Sequence, residues 1–425
     1  MPLQKGQFTC HWPLIYLCSL FMHSMREIRR ALLPVFCIVL VLTPAFRAAL
    51  PLPAQLSDTE FWRLVSSSSE EGGGFISENL VSNELGYPYI IPSLTERVPA
   101  GGAYMGVGPE QNFTYMAAIH PSIAFVIDIR RQNMIEHLLY KAIFELSANR
   151  QEFLSRLFAR KIEATVDRNA PPAELLSAFA AVSKDETFYR TTLQAIKDLL
   201  VVKHGFALSD EDKATLEHVY EEFAKNGTEL RYTVTMLPSG NRVITFLSVD
   251  EIRALPVQPG GAVPLSNAAI SLALSTQFPS YAEVITTTDP AGRNWSYLAS
   301  EEKYRSVREL QQKNLIVPLV GDFAGQRAIR AVGQYLKDHD TSVTAFYVSN
   351  VEQYLTPAVK LQSFYANVAT LPLSPASTFI RSAQIAGPQP GLAQSSLGSI
   401  QVALDAVLEG RAQSWNDILR LPNSK

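Results

Sequence analysis

Nearly uninterrupted apolar runs alternate along the middle of the chain with segments in which apolar residues recur every three or four positions. The longest runs lie at 124–129, 314–320 and 343–348, and a shorter run ends at Gly106. A strand that is covered on both faces has such a run, and strands that alternate with helices form a mainly parallel sheet. The pattern therefore predicts an α/β fold.

Other segments complete this interpretation. Residues 281–286 and 378–382 have the composition of strands, and 231–247 alternates like a hairpin around Pro238-Ser-Gly240. After a crossover helix predicted at 131–145, residues 150–225 are helical in pattern almost throughout. This stretch is too long for one crossover connection, so we interpret it as a helical insertion or cap.

A glycine turn follows the first predicted strand. Gly106 and Gly108 allow positive φ angles and a close approach of a ligand to the backbone. Pro109 is favoured at the first position of a helix, and Glu110 and Asn112 then fall in the first turn, where free backbone N–H groups point outward. The order strand, glycine turn and helix is typical of nucleotide-cofactor pockets.

Asp128 lies twenty residues after Gly108, near the end of the second predicted strand. An acid at this offset can accept hydrogen bonds from a ribose diol. A dinucleotide site would require glycine at position 111, where this chain has Gln111, and a pyrophosphate fits poorly beside Glu110. The residues therefore favour a nucleoside ligand without phosphate. In the alternative interpretation, the glycines only form a tight turn and Asp128 caps the next helix.

These residues carry a family resemblance. The sequence Gly-Val-Gly-Pro-Glu at 106–110, with Asp128 after it, resembles the first two cofactor motifs of class I S-adenosylmethionine-dependent methyltransferases. More closely, the chain resembles an uncharacterised bacterial family with that fold, over most of residues 75–385. The segments that carry this closer resemblance are 79–84, 106–133, 317–325 and 346–355. The resemblance implies a Rossmann-like fold of the class I methyltransferase type with S-adenosylmethionine as cofactor.

Polar residues end three of the predicted strands, namely Asp128, Asp322 and Asn350. In sheets of this class, ligands bind at the carboxyl ends of the strands. Together with the resemblance, this placement gives a set of candidate cofactor-binding residues: Gly106, Gly108, Glu110, Asn112, Asp128, Arg130, Asp322 and Phe323. Arg130 either grips an anionic group or begins a solvated helix.

Asn350 and Tyr354 are the candidate catalytic residues, because substrate-facing polar groups often occupy this place in methyltransferases. The segment lacks the Asn-Pro-Pro-Tyr pattern of amine-methylating enzymes. The histidine, aspartate and glutamate spacings indicate no metal site. Methyl transfer depends mainly on in-line positioning of donor and acceptor, so the lack of an obvious base does not argue against it.

The chain is predicted to divide into four parts. Residues 1–50 form a signal peptide or N-terminal anchor, and 51–74 form a linker with a flexible loop, which is either a mobile lid or a surface connection. Residues 75–385 form the α/β domain with its insertion at 150–225, and 386–425 form a Gly-, Pro- and Ser-rich tail with a final helix.

The first part resembles a targeting segment. Arg26, Arg29 and Arg30 precede a 16-residue apolar stretch at 31–46, which is short for a membrane span. Export or membrane anchoring on the periplasmic side is expected, with contact to the membrane only through this segment. A buried helix of a cytoplasmic protein is the alternative.

Composition narrows the range of functions. The 425 residues are 47% hydrophobic, which supports a large core. Residues 51–425 carry a net charge of −7, because the first 50 hold five of the 37 basic residues and one of the 40 acidic ones. An acidic body argues against nucleic acid as a partner. All three cysteines precede residue 38, which excludes a thiolate site in the body.

Two functions follow as expectations. The first is an S-adenosylmethionine-dependent methyltransferase acting on an unknown small molecule. The second is an exported, non-catalytic binding or interaction protein with a degenerate pocket, because S-adenosylmethionine is made and kept in the cytoplasm. The oligomeric state is left open.

Overall fold

The computed structural model describes residues 50–75, 77–162, 166–232, 278–355, 358–384 and 393–421. The predicted N-terminal signal or anchor and most of the predicted hairpin at 231–247 lie outside the described residues.

One mixed sheet forms the centre of the described chain. Its strands run in the order β3-β2-β1-β4-β5-β6. Strands β1 to β5 are parallel, and β6 pairs antiparallel with β5 at one edge. The strands are β1 (Ala103–Gly106), β2 (Ile123–Asp128), β3 (Ile316–Val320), β4 (Val343–Ser349), β5 (Leu373–Gln384) and β6 (Ala393–Ser399). The prediction of an α/β fold with a mainly parallel sheet is confirmed, and the order is consistent with a Rossmann-like fold.

The sequence explains where these strands lie. Every residue of β1, β2 and β3 is buried, as the uninterrupted apolar runs require when helices cover both faces of a sheet. Pro318 cannot donate to a strand ladder, and it lies in β3, which forms the other edge of the sheet.

The described helices fall into two groups, one before residue 233 and one after residue 277. The first group is α1 (Asp58–Ser68), α2 (Ile91–Arg97), α3 (Gln111–Ile119), α4 (Arg131–Leu146), α5 (Arg150–Leu157), α6 (Pro172–Ala180), α7 (Glu186–Lys197) with a π-helical continuation (Asp198–Lys203), and α8 (Asp210–Asn226). The second group is α9 (Tyr281–Thr286), α10 (Glu301–Gln312), α11 (Ala328–Asp338), α12 (Val351–Tyr354), α13 (Ala358–Val368), α14 (Ile400–Leu408) and α15 (Trp415–Leu419). Short 3₁₀ turns lie at Tyr87–Tyr89 and Gly227–Glu229.

Helices α5 to α8 occupy the segment that was predicted as a helical insertion. They pack on α4, where the ring of Phe223 meets that of Tyr140 edge-on at 5.7 Å. The Arg131 guanidinium also binds the Asp212 carboxylate, with 2.6 Å between Nε and Oδ1. The insertion therefore shares its core with the helix that leads from β2 towards the rest of the domain.

The structure differs from the expected elements at three places. Residues 281–286 form helix α9 and not a strand, because Ser280 and Glu283 form a reciprocal capping box that starts a helix. Helix α1 (Asp58–Ser68) occupies much of 51–74, which was predicted as a linker with a flexible loop. Strand β6 lies in the segment for which only a tail with a final helix was expected.

Candidate functional site

A cavity of about 690 Å³ lies at the carboxyl ends of four parallel strands. Its walls include Gly108 after β1, Asp128 at the end of β2, Asp322 after β3 and Asn350 after β4. Strands β1 and β4 are neighbours, and the chain order reverses between them. Ligands of open α/β sheets bind at such a reversal, so the position of the cavity agrees with the sequence-based expectation.

Seven of the ten candidate site residues line this cavity: Gly108, Asp128, Arg130, Asp322, Phe323, Asn350 and Tyr354. The other three, Gly106, Glu110 and Asn112, do not appear in its walls. The strand ends that the sequence predicted to converge border this cavity, whereas Gly106, Glu110 and Asn112 lie behind the glycine turn.

Asn112 holds the glycine turn in place. Its Nδ2 donates to the carbonyls of Val107 at 2.9 Å, Gly108 at 3.1 Å and Pro109 at 2.7 Å. Its Oδ1 accepts a hydrogen bond from the Tyr104 hydroxyl at 2.9 Å. All polar atoms of this amide are used within the protein, which gives Asn112 a positioning role.

This arrangement requires glycine at position 106. A Cβ atom added to Gly106 would lie 1.9 Å from Asn112 Oδ1, which is a severe overlap. Gly108 is different, because its φ of +74° favours glycine while a Cβ there would meet only Asn79 Nδ2, at 3.6 Å. The backbone of Gly108 therefore borders an open space.

Glu110 is fully buried behind the turn. Its carboxylate accepts a hydrogen bond from the Ser82 backbone N–H at 3.0 Å and so anchors the segment before the sheet. Burial, opposed by this hydrogen bond and assisted by Glu84, raises the pKa of Glu110 to about 7. Because Glu110 contacts the protein interior, it does not supply the charge next to a ligand that the sequence interpretation expected.

His137 of helix α4 also supports the turn. Its Nε2 donates to the Gly108 carbonyl at 2.8 Å, which fixes the neutral tautomer. Burial lowers the pKa of His137 to about 4, although the hydrogen bond to Gly108 opposes this shift. The imidazole is therefore an uncharged support.

Asp128 is paired with Arg130. The Arg130 Nε lies 3.0 Å from Asp128 Oδ1, and Nη2 lies 2.7 Å from Oδ2. The Arg130 backbone N–H donates to Oδ1 at 2.9 Å, and Nη1 donates to the Glu78 carbonyl. Arg130 is thus committed to the protein, whereas Oδ2 of Asp128 has one further lone pair with which to accept a ligand hydroxyl.

Asp322 and Phe323 follow β3 at the rim of the cavity. The Asp322 carboxylate accepts from the Ala324 N–H at 2.9 Å, while its own N–H donates to Glu70 Oε2 at 3.2 Å. Phe323 is 4% exposed and packs on Phe364, with 5.4 Å between the ring centroids. The pair gives the cavity one polar and one flat apolar contact.

The loop after α1 is fixed to the sheet at this rim. Glu70 Oε1 accepts from the Ala328 N–H at the start of α11, at 3.0 Å, and the Gly73 N–H donates to the Ile129 carbonyl at 2.8 Å. Gly74 and Phe75 then line the cavity. The segment predicted as a flexible loop thus contributes to the site and is held by side-chain and backbone hydrogen bonds.

Asn350 and Tyr354 face the cavity from the segment after β4. Tyr354 is 42% exposed, and its ring meets Phe75 edge-on at 5.1 Å. Glu352 lies between Asn350 and Tyr354 in the sequence, but its side chain points into the protein, where it binds Arg381 and the Tyr365 hydroxyl. This internal anchor fixes the short helix α12 so that its other residues border the cavity.

The sequence interpretation missed Glu84, Ser349 and Asn79, which also line the cavity. Ser349 and Asn79 have φ angles of 49° and 48°, in the left-handed region that residues other than glycine rarely adopt. Such residues cluster at ligand sites. The sequence offered one signal for Glu84: segment 79–84 ends in three polar residues, and it is one of the segments that carry the family resemblance.

The comparison with known families adds one finding. The chain belongs to the DUF7790 family. The model of this family, a domain of unknown function, matches residues 79–169 and 267–404, which together are more than half of the chain. These ranges hold all six described strands and the ten candidate site residues predicted from the sequence, whereas Gly74 and Phe75 precede them and helices α6 to α8 lie between them. No curated protein matches the chain.

The described residues show neither a metal-binding cluster nor a membrane-spanning helix. No group of three or more His, Cys, Asp or Glu side chains within them has the arrangement of a metal site. In the same residues, every helix is too short or too polar to cross a membrane.

Proposed function

We propose that the cavity binds S-adenosylmethionine and that the protein transfers the methyl group to a small molecule. The observation that carries the proposal is the convergence of Gly108, Asp128, Asp322 and Asn350 at the ends of four adjacent strands around one cavity. When bound, the cofactor would supply the activated methyl group.

The residues present fit such a ligand. Asp128, oriented by Arg130, retains one lone pair for a ribose hydroxyl, and Asp322 offers a second acceptor at the rim. Phe323, which borders the cavity, supplies an apolar contact beside which a base can lie. The Arg130 guanidinium is already paired with Asp128 and is not free to bind a phosphate group of a ligand. This pairing favours a nucleoside ligand without phosphate.

The chain's own residues would then bind and orient. Gly108 allows close approach of the ligand to the backbone, and Asn350 and Tyr354 lie on the side of the cavity where the acceptor would enter. Because in-line positioning accounts for much of such a reaction, a rigid wall at these positions is the main structural requirement.

Titration calorimetry on the full chain tests the proposal. We expect S-adenosylmethionine and S-adenosylhomocysteine each to bind with one site per chain. Asp322→Asn and Asp128→Asn should each weaken binding, because an amide is a poorer acceptor than a carboxylate for a ribose hydroxyl. An exposed variant far from the cavity, Arg411→Gln, serves as the control. Absence of heat with both ligands would reject the cofactor.

The pairing of Asp128 with Arg130 favours a second candidate, a binding protein that has lost the transfer reaction. Both oxygens of the expected ribose acceptor already receive hydrogen bonds from the protein. Export through the N-terminal segment would fit this candidate. A reporter fused to the C-terminus and followed by cell fractionation tests the location, and a purely cytoplasmic signal would reject export.

A further inference from the structure

A carboxyl group that the proposed cofactor contacts do not use borders the cavity near the end of β4. Glu84 lines the cavity although it is only 4% exposed. Its Oε1 accepts a hydrogen bond from the Ser349 hydroxyl. Within the described residues, no hydrogen bond of normal geometry reaches its Oε2, although the hydroxyls of Tyr347 and Ser382 lie close to the carboxylate. A buried acceptor of this kind has capacity for a donor that arrives with a ligand.

The position of Glu84 is fixed from both sides. Its backbone N–H donates to the Ser82 hydroxyl at 3.2 Å, and Ser82 is tied to the buried Glu110. Ser349, which holds the other side, has the strained φ of 49° noted above. Strain of this kind persists only where the surrounding structure imposes it, so the carboxyl group is held in a defined orientation.

Aromatic side chains surround the same space. Tyr347 and Ser349 lie near the end of β4, both line the cavity, and both hydroxyls are close to the Glu84 carboxylate. Tyr354 and Phe75 form an edge-to-face pair that also borders it. Aromatic walls beside a buried acceptor favour a flat ring that carries a hydrogen-bond donor.

We propose that Glu84 recognises an aromatic alcohol, whose hydroxyl donates to Oε2 and can lose its proton there. In that step the O–H bond of the ligand breaks, its electron pair stays on the ligand oxygen, and a new O–H bond forms at Glu84 Oε2. The proposal rests on the proposed function in one respect: the oxygen of this alcohol would be the atom that accepts the methyl group. The recognition of the alcohol does not depend on the cofactor.

The electrostatic surroundings suit a proton acceptor. Burial raises the pKa of Glu84 above its usual value, although hydroxyl groups close to the carboxylate oppose the shift. A carboxylate with a raised pKa is a stronger base than an exposed one. The groups that face it are Ser349, Tyr347 and Ser382, with the ionisable side chains of Tyr104, Tyr115 and Glu110 nearby.

Two matched probes test the recognition on the full chain. Fluorine NMR titrations compare 4-fluorophenol with 4-fluorotoluene, in which a methyl group replaces the hydroxyl. We expect the wild type to bind the phenol at least about tenfold more tightly, because a hydrogen bond to a charged acceptor is worth this much. Glu84→Gln should abolish most of the preference, since the amide nitrogen cannot accept.

Glu136→Gln is the control variant. Glu136 is also a fully buried glutamate, and neither of its oxygens has a hydrogen-bond partner in the described chain, but it does not line the cavity. It should therefore keep the preference for the phenol. Equal affinity of the wild type for both probes, no binding of either, or a preference that survives Glu84→Gln would overturn the proposal.

Ser349→Ala keeps the test decisive if Glu84→Gln does not fold. The preference for the phenol should rise with pH as Glu84 ionises, and removal of the Ser349 donor should move this rise to higher pH, because that donor stabilises the carboxylate. An unmoved midpoint would contradict the role of Glu84.

The same titrations with S-adenosylhomocysteine separate the two proposals. A retained, Glu84-dependent preference for the phenol without binding of S-adenosylhomocysteine would reject the cofactor and support the alcohol site. Binding of S-adenosylhomocysteine without any preference for the phenol would support the cofactor and reject the alcohol site.

Discussion

Arg381 and Glu352 form an ion pair in the interior, with 2.7 Å between Nε and Oε2 and side-chain exposures of 7% and 0%. The Tyr365 hydroxyl donates to the same carboxylate. Glu352 belongs to helix α12, which carries Tyr354 to the cavity, so this pair connects strand β5 with one wall of the candidate site.

Arg381→Met should lower the free energy of unfolding by about 3–5 kcal/mol, because it leaves a buried carboxylate without its partner. Urea unfolding followed by circular dichroism measures the change. Arg411→Met is the matched control, since Arg411 and Glu409 are both exposed and their pair should contribute almost nothing. Similar losses in the two variants would contradict the importance of the buried pair.

His204 should make stability depend on pH. It is hydrogen-bonded to Glu145 at 3.0 Å and to Asp58 at 2.9 Å. Burial lowers its pKa, but the two carboxylates outweigh burial, so the pKa lies above its usual value. A raised pKa in the folded state means that the stabilisation is complete below the unfolded value near 6.5 and is lost as pH rises through the folded value.

The comparison of wild type with His204→Asn measures this effect. We expect the wild type to be more stable by about 2 kcal/mol near pH 6, and the difference should shrink towards pH 9. The range below pH 5 is avoided because Asp58 and Glu145 have lowered pKa values and lose their own stabilising charge on acidification. A difference that grows with pH would show that the imidazolium is not the stabilising form.

The two glycines of the turn should respond differently to alanine. In Gly106→Ala the new Cβ overlaps Asn112 Oδ1, so we expect a loss of about 1–3 kcal/mol, part of which Asn112→Ala should relieve in the double variant. Gly108→Ala has room for its Cβ but strains the backbone, which costs about 1 kcal/mol. Thermal unfolding of the four variants tests the order. Additive losses would contradict the overlap.

Arg130→Gln should affect both stability and binding. It leaves the Asp128 carboxylate half-satisfied in a buried position, so we expect the free energy of unfolding to fall by about 3 kcal/mol. If S-adenosylhomocysteine binds, its affinity should also decrease, because Asp128 loses its orientation. Arg131→Gln, whose partner is Asp212 in the insertion, should leave the affinity unchanged. Calorimetry with both variants checks the distinction.

The sequence predicted the strands that have a clear hydrophobic pattern. The apolar runs at 124–129, 314–320 and 343–348 and the run that ends at Gly106 correspond to β1 to β4, and Asp128, Asp322 and Asn350 at their ends line the cavity. Residues 281–286 were misinterpreted because Val284, Ile285 and Thr286 are β-branched, and their preference was outweighed by the capping box at Ser280. Strand β6 has few apolar residues, and only its pairing with β5 identifies it.

The direction in which a side chain points could not be predicted from the sequence pattern. Asn112 and Glu110 lie at the start of the helix beside the cavity, yet both side chains point into the protein. Asn112 is held by Tyr104 on strand β1, and Glu110 is held by Ser82, 28 residues earlier, so neither direction could be predicted from the local sequence. Glu84 could not be singled out, since a loop residue has no period and its importance comes from Ser349, 265 residues later.

The hydrogen bond between His137 and the Gly108 carbonyl has a consequence for where the protein can work. Because the imidazole is neutral and its pKa is about 4, its hold on the turn does not change between neutral and mildly acidic surroundings. The support that His137 gives the turn is therefore the same at cytoplasmic pH and in mildly acidic surroundings outside the cell, whereas Glu110, with a pKa of about 7, is a buried group behind the turn whose charge changes over this range.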